Sequence, residues 1–178
     1  MTSPFVIVIA GPAGVGKTTL SKMLSKHFNC TNLSEDEIAK KIFPDVYTNI
    51  EDYPDKLKIA ENQLLKSAKK IFDSGRYVVI DMINLERGFI EEIKKTFHQH
   101  LILRVLYPPI EITIERDKKR EGWTSGEDTI KRFYKKYEEL KPIIGEKNYI
   151  DTGHQTPQKT LERFIAVIEL LSSRQTLK

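Results

Sequence analysis

The sequence predicts an α/β fold: a five-stranded parallel sheet with helices on both faces. Three observations lead there. Short apolar, β-branched runs recur along the 178-residue chain and read as buried strands. Between them lie segments whose apolar residues return every three or four positions, the spacing of a helix face. A glycine-rich run then joins the first such strand to the first such helix. Strands alternating with helices in this way imply a parallel sheet with right-handed crossovers.

Each element has its own reason. Residues 5–10 form the first strand, and residues 19–28 a helix with Leu20, Leu24 and Met23 or His27 on one face. Residues 30–33 form a short second strand, in which Cys30 reads as a small core residue. Ser34 opens a helix that Pro44 stops, and residues 45–52 form a polar loop. Pro54 starts a long helix to about Ser74, apolar at Leu57, Ala60, Leu64, Leu65, Ala68 and Ile71, and Gly75 ends it. Residues 77–80 form the third strand, closed by Asp81, and residues 86–97 a helix. Residues 101–106 form the fourth strand, 110–120 a helix of mixed charge, 122–126 a flexible turn and 127–140 a further helix. Residues 148–150 form the fifth strand and 151–157 a loop; the last helix spans 158–171 and a frayed tail follows.

Composition bounds the function. The net charge of +4 suits an anionic ligand or nucleic acid, and equally a basic chain that binds nothing large. A single cysteine excludes an internal disulfide and fits a reducing, cytoplasmic setting. No basic leader and no apolar run near 18 residues are visible, so no membrane partner is expected. The four histidines have no metal-ligand spacing and read as surface or helix residues. The expected organisation is one domain over residues 1–178 with a lid at about 110–127, as a monomer or weak dimer.

Gly11-Pro12-Ala13-Gly14-Val15-Gly16-Lys17-Thr18 fits the phosphate-binding pattern G-x-x-x-x-G-K-[ST] at every position. The glycines let successive N–H groups turn toward an anion, and the helix that follows adds its positive end. Gly11, Ala13, Gly14, Val15, Gly16, Lys17, Thr18 and Thr19 are therefore expected to hold ATP, with Lys17 on the β- and γ-phosphates. The Thr18 hydroxyl and Asp81, at a strand end, are expected to hold Mg²⁺. No Asn-Lys-x-Asp tetrad reads guanine, and Met82 stands where hydrolysing ATPases often carry a water-activating Glu. Transfer to an acceptor fits best, and a regulatory nucleotide-binding module is the alternative.

Asp36 follows the second strand and faces the loop, where it can accept a proton from an attacking hydroxyl. Ser34-Glu35-Asp36-Glu37 also fits a capping box, in which Asp36 merely decorates the helix dipole. Arg116 and Arg120 lie four apart and share a helix face, so an anion can bridge them as a lid closes. The other reading is a solvated helix with Glu115, Asp117 and Glu121 as counter-charges. Trp123 packs the lid hinge or stacks on a base.

With these residues assembled, the chain resembles the P-loop kinases of AAA type related to the polynucleotide 5′-hydroxyl kinases. The resemblance runs over nearly the whole length. Its specific stretches are Asn32-Leu33-Ser34-Glu35-Asp36-Glu37-Ile38, Asp81-Met82-Ile83-Asn84-Leu85, and Tyr107-Pro108-Pro109 through Glu115-Arg116-Asp117-Lys118-Lys119-Arg120-Glu121-Gly122. Residues 130–137 resemble the helix after the lid. It implies a P-loop NTPase fold, Asp36 as general base, Arg116 and Arg120 as catalytic lid arginines, and Asp151 and Thr152 in the loop that borders adenine. Two departures fall at the acceptor end: Ala39 stands where the family has Arg, and Met82 or Ile83 where it has Thr. The resemblance thus implies phosphoryl transfer from ATP, to a nucleic-acid end or alternatively to a small molecule, nucleoside or nucleotide. Acceptor choice is expected in residues 43–54 and 130–137, where Lys131, Arg132, Lys135 and Lys136 either track a phosphate backbone or form a solvated face.

Overall fold

The first strand is apolar at every position because both of its faces are covered. In the computed structural model, which describes residues 4–176 and the side chains of residues 4–173, β1 (Val6–Ala10) lies in the middle of the sheet. Strands β2 (Thr31–Ser34), β3 (Val78–Met82), β4 (Leu101–Leu106) and β5 (Tyr149–Ile150) complete it. The order is β2-β3-β1-β4-β5 and every pairing is parallel.

The period-2 alternation of strands sorts the core into two layers. Val6, Val8, Ala10, Val78, Ile80 and Met82 meet α3 (Pro54–Asp73), α4 (Arg87–Phe97) and α6 (Glu127–Ile144) through Leu64, Phe89, Phe133 and Tyr137. On the other face Ile7, Ile9, Val79, Ile102 and Leu106 meet α1 (Lys17–His27) and α7 (Pro157–Thr176) through Leu20, Leu24, Leu161, Phe164 and Ile168. The remaining helices, α2 (Glu35–Ile42) and α5 (Ile110–Lys118), sit at the ends of β2 and β4.

Several expectations change. Residues 45–52 are not a plain loop: Tyr47–Asp52 is a 3₁₀ turn, because Ile50 is buried with Ala39, Leu57 and Ala60. α6 runs past Leu140 to Ile144 and carries Pro142 in its last turn. Burial of Leu140 and Ile144 holds that turn, and Gly145 at φ +91° ends it. Cys30 precedes β2 and is half-buried; burial pushes its thiol up to about 11. His100 is not partnerless, since its Nδ1 lies 3.2 Å from Pro4 O and its ring packs near Phe5 and Phe72. The helix expected to stop at residue 171 continues to Thr176, and the last two residues of the expected tail lie outside the described part. Among the described residues no helix is long and apolar enough to cross a membrane.

Candidate active site

The glycine-rich run turns sharply between β1 and α1. Gly11 takes φ +142°, and a Cβ there would stand 2.4 Å from Leu106 O. Gly14 takes φ +81° and Gly16 φ +95°, values that side-chain-bearing residues rarely adopt. Gly16 is the N-cap of α1 and supplies no capping side chain, so the first N–H groups of the helix are available to an anion. Lys17 Nζ donates to Pro12 O at 2.8 Å. Burial lowers the Lys17 pKa, and Asp81, Asp36 and Glu35 oppose that shift. Val15 is buried in the core layer under α1 and α7.

Two strand ends bring the carboxylates. Ser34 Oγ accepts from Glu37 N at 3.4 Å and caps α2, leaving Asp36 in the first turn beside the loop. Asp81 lies in β3, in register with Ile9 and Ser34, and is buried. Burial raises the Asp36 pKa; Lys17 pulls it down, and Asp81, Glu51 and Glu37 push it up. As a residue Asp36 is exposed, because it opens onto the cleft, yet the surrounding protein withdraws water from its carboxyl.

Residues 110–126 are pinned by groups that the sequence did not point to. Asp117, 3% exposed, accepts from Ser125 N through both oxygens at 3.1 and 3.0 Å, and from Gly126 N at 3.0 Å. This folds residues 119–126 back over α5. Thr113 Oγ1 lies 2.6 Å from Tyr134 Oη, which donates to Pro108 O at 2.7 Å, tying α5 to α6. Arg116 Nη2 donates to the carbonyls of Thr152 and Gly153, each at 3.0 Å. Arg120 lies over the Trp123 ring, 5.8 Å from its centroid. Trp123 is 64% exposed, so it does not pack the hinge as expected.

One cavity of about 810 Å³ gathers these groups. Ala13, Gly14, Gly16, Lys17, Thr18, Thr19, Asp36, Asp81, Arg116 and Arg120 all line it. Gly11, Val15, Asp151 and Thr152 do not; the first two shape the loop from behind, and the last two lie in the segment that Arg116 grips. Tyr47, Thr48, Asn49, Glu51, Thr129, Arg132 and Phe133 line its other end. Of the basic quartet on α6, Lys131 pairs with Glu127, Arg132 with Glu51 and Lys136 with Glu86.

The family model described as the AAA domain matches residues 6–140. The chain belongs to that family. A guanylate kinase of Clostridium tetani is 28% identical to this chain over 181 residues, 89% of this chain and 84% of that protein. A probable adenylyl-sulfate kinase of Archaeoglobus fulgidus is 26% identical over 123 residues, 65% of this chain and 74% of that protein. A gluconokinase from Sinorhizobium meliloti 1021 shares the fold with a TM-score of 0.73 at 15% identity, covering 99% of this chain and 98% of that one. The fold is that of the P-loop kinases, and this chain is a phosphotransferase.

Its residues fit a magnesium nucleotide. Among the described residues no cluster of three or more His, Cys, Asp or Glu could cage a metal. Mg²⁺ does not need such a cage, because it keeps waters and takes one or two protein oxygens beside substrate phosphates. Thr18 and Asp81 on the cavity wall can supply those oxygens. Two further groups of this AAA domain position the site. Glu35 Oε2 accepts from Ile83 N at 2.8 Å and Asn84 N at 2.9 Å. Tyr137 Oη accepts from Gly11 N and donates to Ile83 O, both at 2.9 Å. From the sequence alone neither Glu35 nor Tyr137 has a role of its own: Glu35 is a member of the 34–37 run and Tyr137 of the 130–137 helix. The sole signal for Glu35 is a carboxylate directly after the short strand β2.

Proposed function

We propose that this chain transfers the γ-phosphate of ATP to a hydroxyl of a small molecule or nucleotide. One observation carries the reading: a phosphate loop, a carboxylate opposite it and two lid arginines line a single cavity. About 810 Å³ lies within the 300–1,000 Å³ usual for small-ligand sites. The ion pairs on α6 favour a small acceptor over a nucleic-acid end, since three of the four basic residues in the 131–136 cluster already have carboxylate partners. The relatives are named for guanylate, adenylyl sulfate and gluconate, which points the same way.

In this reading Lys17 leaves Pro12 O for the β- and γ-phosphates, a charged and therefore stronger acceptor. The loop amides hold the same phosphates. Asp36 takes the proton of the attacking hydroxyl. Arg120 offsets charge on the transferring group, while Arg116 ties the lid to the segment after β5. Mg²⁺ held by Thr18 and Asp81 would supply charge neutralisation between the phosphates. Met82, Ile83 and Asn84 form wall rather than a water-activating acid, which suits an enzyme that must keep water from the γ-phosphate.

The test is Lys17→Ala with labelled ATP and a panel of nucleosides, nucleotides, sugars and 5′-hydroxyl RNA. Wild type should label a small acceptor, and the variant should lose turnover with its fold unchanged by circular dichroism. Equal turnover in the variant refutes the phosphate-loop assignment, and labelling of RNA alone refutes the small-acceptor reading.

A further inference from the structure

The charges along the cavity are divided unevenly between its two ends. Among the described residues, Lys17, Arg116 and Arg120 lie at the phosphate end, around the loop and lid. Among the described residues that line the far end, Arg132 is the one cation, and it is already engaged. Its Nη2 donates to Glu51 Oε1 at 2.8 Å, and its Nη1 lies 3.9 Å from Asp52 Oδ1. The Glu51 side chain is the more enclosed partner, 18% exposed against 55% for Arg132. Its charge reaches the reaction centre, since Glu51 is among the carboxylates that act on Asp36. Of the lining residues at this end Asp36 and Glu51 are acidic and Arg132 is basic, and Lys40 Nζ lies 5.4 Å from the centroid of the Tyr47 ring. The rest of what an acceptor would meet there is neutral: the hydroxyls of Tyr47, Thr48 and Thr129, the amide of Asn49 and the ring of Phe133.

An acceptor bearing a phosphate or carboxylate would have to enter beside Asp36 and Glu51. It would also have to break the Arg132–Glu51 pair to find a counter-charge. A neutral polyol meets no such barrier. Carboxylates accept hydrogen bonds from hydroxyls, and the amide of Asn49 can both donate and accept. We propose that the acceptor is a neutral polyhydroxyl compound, a sugar or the ribose of a nucleoside, and that the Arg132–Glu51 pair excludes anionic acceptors. This rests on the kinase reading above and narrows its acceptor to uncharged compounds, away from the anions for which the relatives are named. In the step itself the acceptor oxygen bonds to the γ-phosphorus, the bond from that phosphorus to the bridging oxygen of ADP breaks, and the hydroxyl proton passes to Asp36.

Two measurements on the full chain test it. In the first, protein loaded with Mg²⁺ and a non-hydrolysable ATP analogue is titrated calorimetrically with ribose 5-phosphate. Wild type should show no binding at millimolar concentration. Glu51→Gln, which frees Arg132 and keeps the side-chain shape, should bind at least ten-fold more tightly. Wild-type binding as tight as that of the variant overturns the inference. In the second, kcat/KM is compared within matched pairs, each nucleoside with its 5′-monophosphate and each sugar with its onic acid. The neutral member should lead by ten-fold or more, and Glu51→Gln should narrow that ratio. A lead for the anionic member overturns the proposal and leaves the kinase reading standing. If no pair turns over, the kinase reading is what fails, and the titration still decides whether this end excludes anions.

Discussion

Asp36 owes its chemistry to what surrounds it. Burial raises its pKa, Lys17 lowers it, and the carboxylates of Asp81, Glu51 and Glu37 raise it again. A general base works only when ionised, so activity should fall as pH drops through that raised value. The acid limb of kcat is thus expected above the ordinary aspartate pKa of about 3.9. Asp36→Asn should keep ATP affinity and lose about 10²–10⁴-fold in kcat, the range for proton transfer by a positioned group. An unchanged kcat would leave Asp36 as a helix-dipole residue only. The two lid arginines should separate by role. Arg116 is bound to the carbonyls of Thr152 and Gly153, whereas among the described residues Arg120 has a distant carboxylate, Asp117 at 3.9 Å, and the Trp123 ring. Arg120→Ala should therefore lower kcat by roughly 10³-fold or more, as transition-state arginines do. Arg116→Ala should act mainly on the KM for ATP. Steady-state kinetics of the two variants decides, and an Arg120 effect confined to KM would make it a ground-state contact.

The elements differ in how far local sequence explains them. Val6–Ala10, Val78–Met82 and Leu101–Leu106 were legible because strands covered on both faces must be apolar throughout. α3 was legible because Pro54 begins it and an apolar stripe runs along it. The 3₁₀ turn at Tyr47–Asp52 was not, since its one buried anchor, Ile50, gives no period. That the glycine-rich run, Arg116 and Arg120 would come together could be read from spacing, and they line one cavity. Their supports could not be read this way, because Glu35 meets Ile83 48 residues away and Tyr137 meets Gly11 126 residues away. Asp117 looked like one charge among many on α5, yet its carboxylate holds two backbone N–H groups of the following turn. Asp117→Ala should release residues 119–126 and change kcat and KM together, as lid-anchoring changes do. Trypsin should then cut at Lys118, Lys119 or Arg120 several-fold faster than in wild type. An unaltered cleavage rate would show that Asp117 does not hold the lid.

At the scale of the molecule, the sheet order β2-β3-β1-β4-β5 sets the carboxyl ends of β1, β2 and β3 side by side, and the loops leaving them carry the site. The same convergence buries acids. Burial pushes Glu35 up to about 8, against the two N–H bonds that it accepts. It pushes Glu61 up to about 7, with Lys58 opposing. Both groups titrate near 4.5 when unperturbed. Between that value and about 8 the native chain consequently holds more protons than the unfolded chain. Stability must then fall as pH rises through this window, by on the order of a few kcal/mol, since each raised unit corresponds to about 1.4 kcal/mol. Thermal unfolding without ligand should give a higher Tm at pH 5.5 than at pH 8.5. Glu35→Gln keeps an oxygen for Ile83 and Asn84 and removes the ionisation, so it should flatten much of that slope. The remaining slope should track Glu61 and shrink further in Glu61→Gln. A wild-type Tm that rises between these two pH values would mean that both carboxyls ionise freely in the native state. The chain around Ile83 would then be held by a full charge rather than by a buried, largely protonated acid.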